Sequence, residues 1–187
     1  MSALRIILIS LILIASQAFA GKLGVEIGTG YKSPYGSLGI GIRYFPIRQL
    51  DFHYTGGVGV IGSLSTLGTR IYTKPIGNRC LLFIPCKPLY YIGLSYGQSN
   101  GGEVDFEEDD EKSQYDFSRG EFYGLNIGAV SLFGEVFYYT FDLGYRSFVK
   151  SPTYELASGP GDSDATETFD QYIASGLNLS FNLGFMF

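Results

Sequence analysis

The chain has 187 residues, a net charge of −5 at pH 7, and a composition that is 45% hydrophobic but only 17% charged. After residue 20 it has no apolar run near the roughly 20 residues of a spanning helix, so that apolar content is spread along the chain. Nucleic acid is not an expected partner, and no cofactor is expected.

Residues 1–20, "MSALRIILISLILIASQAFA", read as a secretory signal peptide. Arg5 gives a short positive start, Ile6 to Ala15 is apolar except for Ser10, and Ala18-Phe19-Ala20 is a cleavage site. No Cys follows it, which argues against a lipid anchor. Residues 21–187 then suit one domain.

From there the apolar residues recur with a period of two, the mark of strands with two unlike faces. Leu23, Val25, Ile27, Thr29 and Tyr31 begin the series, followed by Leu38, Ile40, Ile42 and Tyr44 up to a break at Pro46. Leu50, Phe52, Tyr54, Val58 and Val60 form the third segment, and Leu67, Thr69, Ile71 and Thr73 the fourth. The parity of the fourth is the weakest, because it places Tyr72 on the polar face. Tyr90 to Tyr96, Tyr123 to Ala129, and Phe137 to Tyr145 alternate in the same way. An eighth strand is expected from about Thr168 to the terminal Phe187. No helical spacing is sustained.

The second face identifies the architecture. It carries Glu26, Arg43, Asp51, His53, Arg70, Asn126, Asp142, Arg146, Asn178 and Asn182, interspersed with many glycines. A solvated face usually carries Lys, Glu and Thr, whereas glycines and mutually paired charges fit a narrow barrel interior. The other face is apolar, as on a barrel that meets lipid. Lipid cannot satisfy backbone N–H and C=O groups, so such a sheet must close on itself. The expected fold is all-β: an eight-stranded, antiparallel, up-and-down transmembrane β-barrel.

The closing segment Leu177–Phe187, "LNLSFNLGFMF", resembles the assembly signal of Gram-negative outer-membrane proteins. "IGIRYFP" (40–46) and "YYIGLSYG" (90–97) resemble strands of small barrels of the outer-membrane protein A and X type. The resemblance implies that the barrel-assembly machinery reads Phe181, Leu183, Phe185 and Phe187. It implies contact with outer-membrane lipid and lipopolysaccharide, with both termini periplasmic.

Short turns are then expected on the periplasmic side and longer loops outside. The outer loops fall near Ser33–Gly36, at Gly62–Thr66, from about Gln98 to Arg119, and from about Lys150 to Glu167. The third is acidic: Glu103, Asp105, Glu107, Glu108, Asp109, Asp110 and Glu111. Such a block reads first as a solvated, mobile loop, and the glycine and spacing of a calcium loop are missing. Periplasmic turns are expected at Pro46–Gln49, about Pro75–Pro88, and Val130–Gly134. The middle one holds Cys80 and Cys86, which the exported setting pairs as a disulfide. The enclosed Leu81, Leu82, Phe83 and Ile84 are read as packing locally. Contact of residues 80–86 with an envelope protein partner stays open.

Functionally, Glu26, Asp51 and Asp142 are expected to pair with Arg43, Arg70 and Arg146 inside the barrel, since an unpaired buried charge is costly. An eight-stranded barrel is just wide enough for its side chains to fill. His53 sits near the periplasmic turn and faces inward, far from where a lipid-processing histidine would meet the outer leaflet. The preferred reading is a non-enzymatic structural or surface-interaction barrel, with no catalytic or metal site. The alternatives are a lipid A-modifying enzyme, a narrow channel, and a subunit of a larger envelope complex.

Overall fold

A computed structural model describes residues 21–74, 88–108, 111–133 and 136–187. Among them lie eight strands that close into one antiparallel barrel. They are β1 (Lys22–Tyr31), β2 (Leu38–Ile47), β3 (Leu50–Gly59), β4 (Gly62–Tyr72), β5 (Leu89–Ser99), β8 (Gly120–Phe133), β9 (Phe137–Lys150) and β11 (Gly176–Met186). Each pairs with its neighbours in the barrel, and β11 closes the ring on β1 through Val25 opposite Phe185 and Thr29 opposite Phe181. Residues 1–20, expected to be a signal peptide, Cys80, Cys86 and the segment between them, Asp109 and Asp110 lie outside the described residues.

The period-two pattern resolves into inside and outside as expected for a lipid-facing sheet. Val25, Ile40, Ile42, Phe52, Leu67, Leu94, Ile127, Leu143 and Leu177 point outward and are exposed. The interior is polar at mid-height and apolar at both ends. Near the chain termini, Phe45, Tyr72, Leu89, Tyr91, Val130, Leu132, Tyr138 and Met186 form one buried cluster. Tyr72 therefore does face inward, as the parity of the fourth segment required. Met186, which breaks the polar run of the last strand, faces inward to complete this plug.

The glycines of the inner face are seats for large side chains on neighbouring strands. A side chain at Gly184 would strike the ring of Tyr138, one at Gly128 that of Tyr91, one at Gly68 that of His53, and one at Gly97 that of Phe122. Narrowness thus dictates composition: a bulky interior residue needs a neighbour without a Cβ. Gly184→Val is expected to displace Tyr138 and cost about 1–3 kcal/mol by overpacking. A lower urea midpoint for the folded barrel checks this.

At the other end the structure departs from simple loops. Residues expected as a loop between Gln98 and Arg119 form a hairpin, β6 (Gly102–Glu108) and β7 (Glu111–Phe117). The next connection supplies β10 (Tyr154–Ser158), which pairs with β7 to make a three-stranded sheet in the order β10-β7-β6. A helix, α1 (Ser163–Ile173), follows. The expected strand start at Thr168 is corrected accordingly: residues 163–173 are helical and the strand begins at Gly176. β8 likewise continues to Phe133, through most of the turn expected at Val130–Gly134.

The helix has local causes. Asp162 is its N-cap, accepting from the backbone N–H groups of Asp164 and Ala165. Ala165, Phe169, Tyr172 and Ile173 recur at helical spacing and turn toward the cap sheet and barrel rim. Phe169 stacks edge-on against Tyr115 and Phe117, with ring centroids 4.9 Å away in each case. Ile61, Leu64 and Phe122 carry this second cluster down into the barrel mouth.

Candidate functional site: the ion-paired lumen and its cap

Between the two apolar clusters lies a charged layer. Glu26, Arg43, Asp51, His53, Arg70, Asp142 and Arg146 are all buried. Alternation in β1, β2, β3, β4 and β9 turns each of them inward, and the register brings them together. Arg43 Nη2 lies 2.6 Å from Glu26 Oε2, and its Nη1 lies 3.9 Å from Asp51 Oδ2. Asp51 Oδ1 is 2.9 Å from His53 Nδ1. Across the lumen, Arg70 Nη2 is 3.3 Å from Asp142 Oδ2.

Tyrosines complete these pairs. The hydroxyl groups of Tyr72 and Tyr91 donate to Asp51 and Asp142, and that of Tyr138 donates to Glu26 at 3.2 Å. Asp142 Oδ2 also accepts from Ser180 Oγ at 2.9 Å and from Asn182 Nδ2 at 3.1 Å. The guanidinium of Arg43 lies over the Tyr138 ring, and that of Arg70 over the Tyr91 ring. Each carboxylate therefore has cationic or hydroxyl donors around it, the condition for holding charge away from water.

Tyr35 is the member that alternation does not reveal. It sits in the β1–β2 connection, yet it is fully buried and its hydroxyl donates to Glu26. The connection folds down into the lumen instead of standing above it. Gly28, Gly39 and Gly57 make the room, since a Cβ at any of them would strike Tyr35. Gly36, at φ +65°, turns the chain back up in a conformation that glycine adopts without penalty. Those glycines are the one trace of the seat in the sequence.

Arg146 stands apart from the carboxylate pairs. Its guanidinium packs against Phe122 and Phe148, and Nη2 donates to the Tyr172 carbonyl at 2.6 Å. Lys32 Nζ donates to the Ala174 carbonyl at 3.1 Å. Both cations thus meet the C-terminal end of α1, whose last turn carries no basic residue of its own. This is where the helix dipole favours positive charge. Burial, then the nearby Arg146, holds the Lys32 ammonium below its usual range. Burial raises the Tyr172 phenol.

Above the mouth, the cap sheet shows its own alternation. Val104, Phe106, Tyr115 and Phe117 turn inward, while Glu103, Asp105, Glu107, Lys112 and Asp116 face solvent. Glu103, Asp116 and Glu155 stand in line across the three strands. Lys112 Nζ reaches Glu107 at 3.3 Å and Gln114 Nε2 donates to Glu103 at 3.1 Å. Among the described residues, no group of three or more acidic, histidine or cysteine side chains is placed to hold a metal ion. Glu103, Asp105 and Glu107 thus lie on the outer face of a folded sheet, a packed cap in place of the loose loop expected there.

Tyr154 links this sheet to α1, its hydroxyl 3.0 Å from Asp170 Oδ1. Burial, then that bond, raises the Tyr154 phenol above its usual value. A raised folded value means that the contribution is intact below the unfolded tyrosine pKa of about 10 and is lost as pH climbs through the folded one. Ultraviolet titration of a Tyr154→Phe variant against the parent is expected to lack one late-titrating phenol.

The fold has a counterpart among solved structures. The N-terminal β-barrel domain of OprF from Pseudomonas aeruginosa aligns with a TM-score of 0.50, covering 89% of this chain and 96% of that one at 13% identity. The fold is that of the small outer-membrane protein A-type barrels. No family profile matches the sequence, and no curated protein does. At 13% identity the likeness speaks for the barrel architecture, and the side-chain network has to be read from this chain itself.

Proposed function

We propose that the protein is an integral outer-membrane barrel with a non-enzymatic role: it holds a rigid acidic cap at the cell surface. The carrying observation is the filled lumen, in which an ion-paired layer lies between two apolar clusters beneath a folded cap. The outward band of exposed apolar residues supports lipid as the surrounding medium. In this reading the termini are periplasmic, and lipopolysaccharide surrounds the cap end. The barrel-assembly machinery engages Phe181, Leu183, Phe185 and Phe187, all outward-facing on β11 or at its end. Residues 80–86 remain the candidate contact for an envelope partner, and Cys80–Cys86 the candidate disulfide.

A peptide tag inserted after Pro160 is expected to bind antibody on intact cells. A tag at Arg48–Gln49 is expected to bind only after permeabilisation. The reverse pattern overturns the orientation, and absence from the outer-membrane fraction overturns the location. Planar bilayers holding the parent barrel are expected to show no discrete conductance steps, because Arg43 is paired with carboxylates on both neighbouring strands and Arg70 with Asp142 across the lumen.

A further inference from the structure

The outer wall is not uniform. On the β4–β5–β8–β9 side, near the chain termini, a trough of about 600 Å³ opens onto the surface. Ile71, Thr73, Tyr90, Phe141 and Leu143 flank it, and Ala129, the small outward residue of β8, forms part of its floor. A second trough of about 440 Å³ continues along the same wall toward the cap, between Phe52, Leu67, Leu94 and Tyr123. Both volumes fall in the range of sites that hold small apolar ligands.

Charge tells which ligand fits the first trough. It ends at the rim where β4 stops, and the exposed Lys74 directly follows Thr73 there. The basic side chains described at that rim are Lys22, Arg48 and Lys74. Among the described residues no exposed side-chain carboxylate accompanies them. Exposed Tyr90 sits where an aromatic ring suits the membrane–water boundary.

We infer that this trough is a binding site for one anionic glycerophospholipid, with an acyl chain over Ala129 and the phosphate at Lys74. The inference rests on the membrane reading above. An apolar tail gains contact along a groove that a flat wall does not offer, and an anionic headgroup meets Lys74 where the trough ends, among the basic side chains described at that rim. A second copy of the chain would bring the same basic rim against itself, which disfavours it as the occupant.

The test is native mass spectrometry of the folded barrel, released from vesicles that contain either phosphatidylglycerol or phosphatidylcholine. The parent is expected to retain one phosphatidylglycerol and little phosphatidylcholine. Ala129→Phe fills the trough from the lipid side, without touching the lumen. It should reduce retention by about fivefold or more, equivalent to about 1 kcal/mol. Lys74→Glu should reduce phosphatidylglycerol and leave phosphatidylcholine unchanged. Heat-modifiable migration establishes that each variant is folded. Equal retention of the two lipids, undiminished retention in both variants, or a dimer that Ala129→Phe dissociates would each overturn the inference. A parent barrel that fails to enter vesicles at all would instead overturn the membrane reading.

Discussion

Replacing Asp142 with alanine is expected to lower the stability of the folded barrel by about 3–5 kcal/mol, the cost of breaking a buried ion pair from one side. The effect is large because Asp142 gathers four donors from three strands: Arg70 on β4, Tyr91 on β5, and Ser180 and Asn182 on β11. Without the carboxylate, the Arg70 guanidinium keeps its charge in a site sealed from water, with the face of the Tyr91 ring beside it. Urea unfolding in lipid vesicles, followed by the gel shift between folded and unfolded barrel, gives the free-energy difference.

The double variant Asp142→Ala with Arg70→Met separates the pair from its surroundings. Removing both charges abolishes the orphaned cation, and a buried pair replaced by apolar side chains is often close to neutral. The double variant is expected to recover most of the loss and to be more stable than Asp142→Ala alone. If it is instead as unstable as the sum of the two single changes, the pair is not an energetic unit and Tyr91, Ser180 and Asn182 carry the site. Glu26→Ala should behave similarly, since Arg43, Tyr35 and Tyr138 converge on that carboxylate.

The lumen was readable in the sequence because one simple rule governs it. In a closed barrel every second residue faces in, so Glu26, Arg43, Asp51, His53, Arg70, Asp142 and Arg146 could be placed inside from parity alone. Which charges would pair could not. That depends on strand register and on tilt across the lumen, which bring Arg70 to Asp142 from β4 to β9 and leave Arg146 to the helix end. Tyr35 escaped because a loop has no period, and its burial is recorded only indirectly, in Gly28, Gly39 and Gly57. The helix escaped for another reason. Three turns are too short for a sustained pattern, and its apolar residues Ala165, Phe169, Tyr172 and Ile173 run close to the alternating strand that follows. Asp162 after Gly161 was the usable signal, an N-cap ahead of residues at helical spacing.

Phe169 is the position at which cap and barrel should come apart experimentally. Its ring meets those of Phe106, Tyr115, Phe117 and Tyr154, so one side chain holds α1 against all three strands of the cap sheet. Phe169→Ala removes that shared contact, and a Phe to Ala change in a core costs about 3–5 kcal/mol. Because Phe169 ties the helix to each strand of the cap sheet, the expected outcome is local unfolding of the cap. The barrel strands keep their own closed hydrogen-bond ladder and the ion-paired layer beneath. In hydrogen exchange, residues 102–108, 111–117 and 154–173 should therefore lose protection together, while β1–β5, β9 and β11 exchange as in the parent. Arg146→Gln should weaken the same region more mildly, because it frees only the helix end at the Tyr172 carbonyl. If Phe169→Ala instead lowers protection through the barrel strands as well, the cap and the lumen form one cooperative unit, and the acidic face is as rigid as the barrel that carries it.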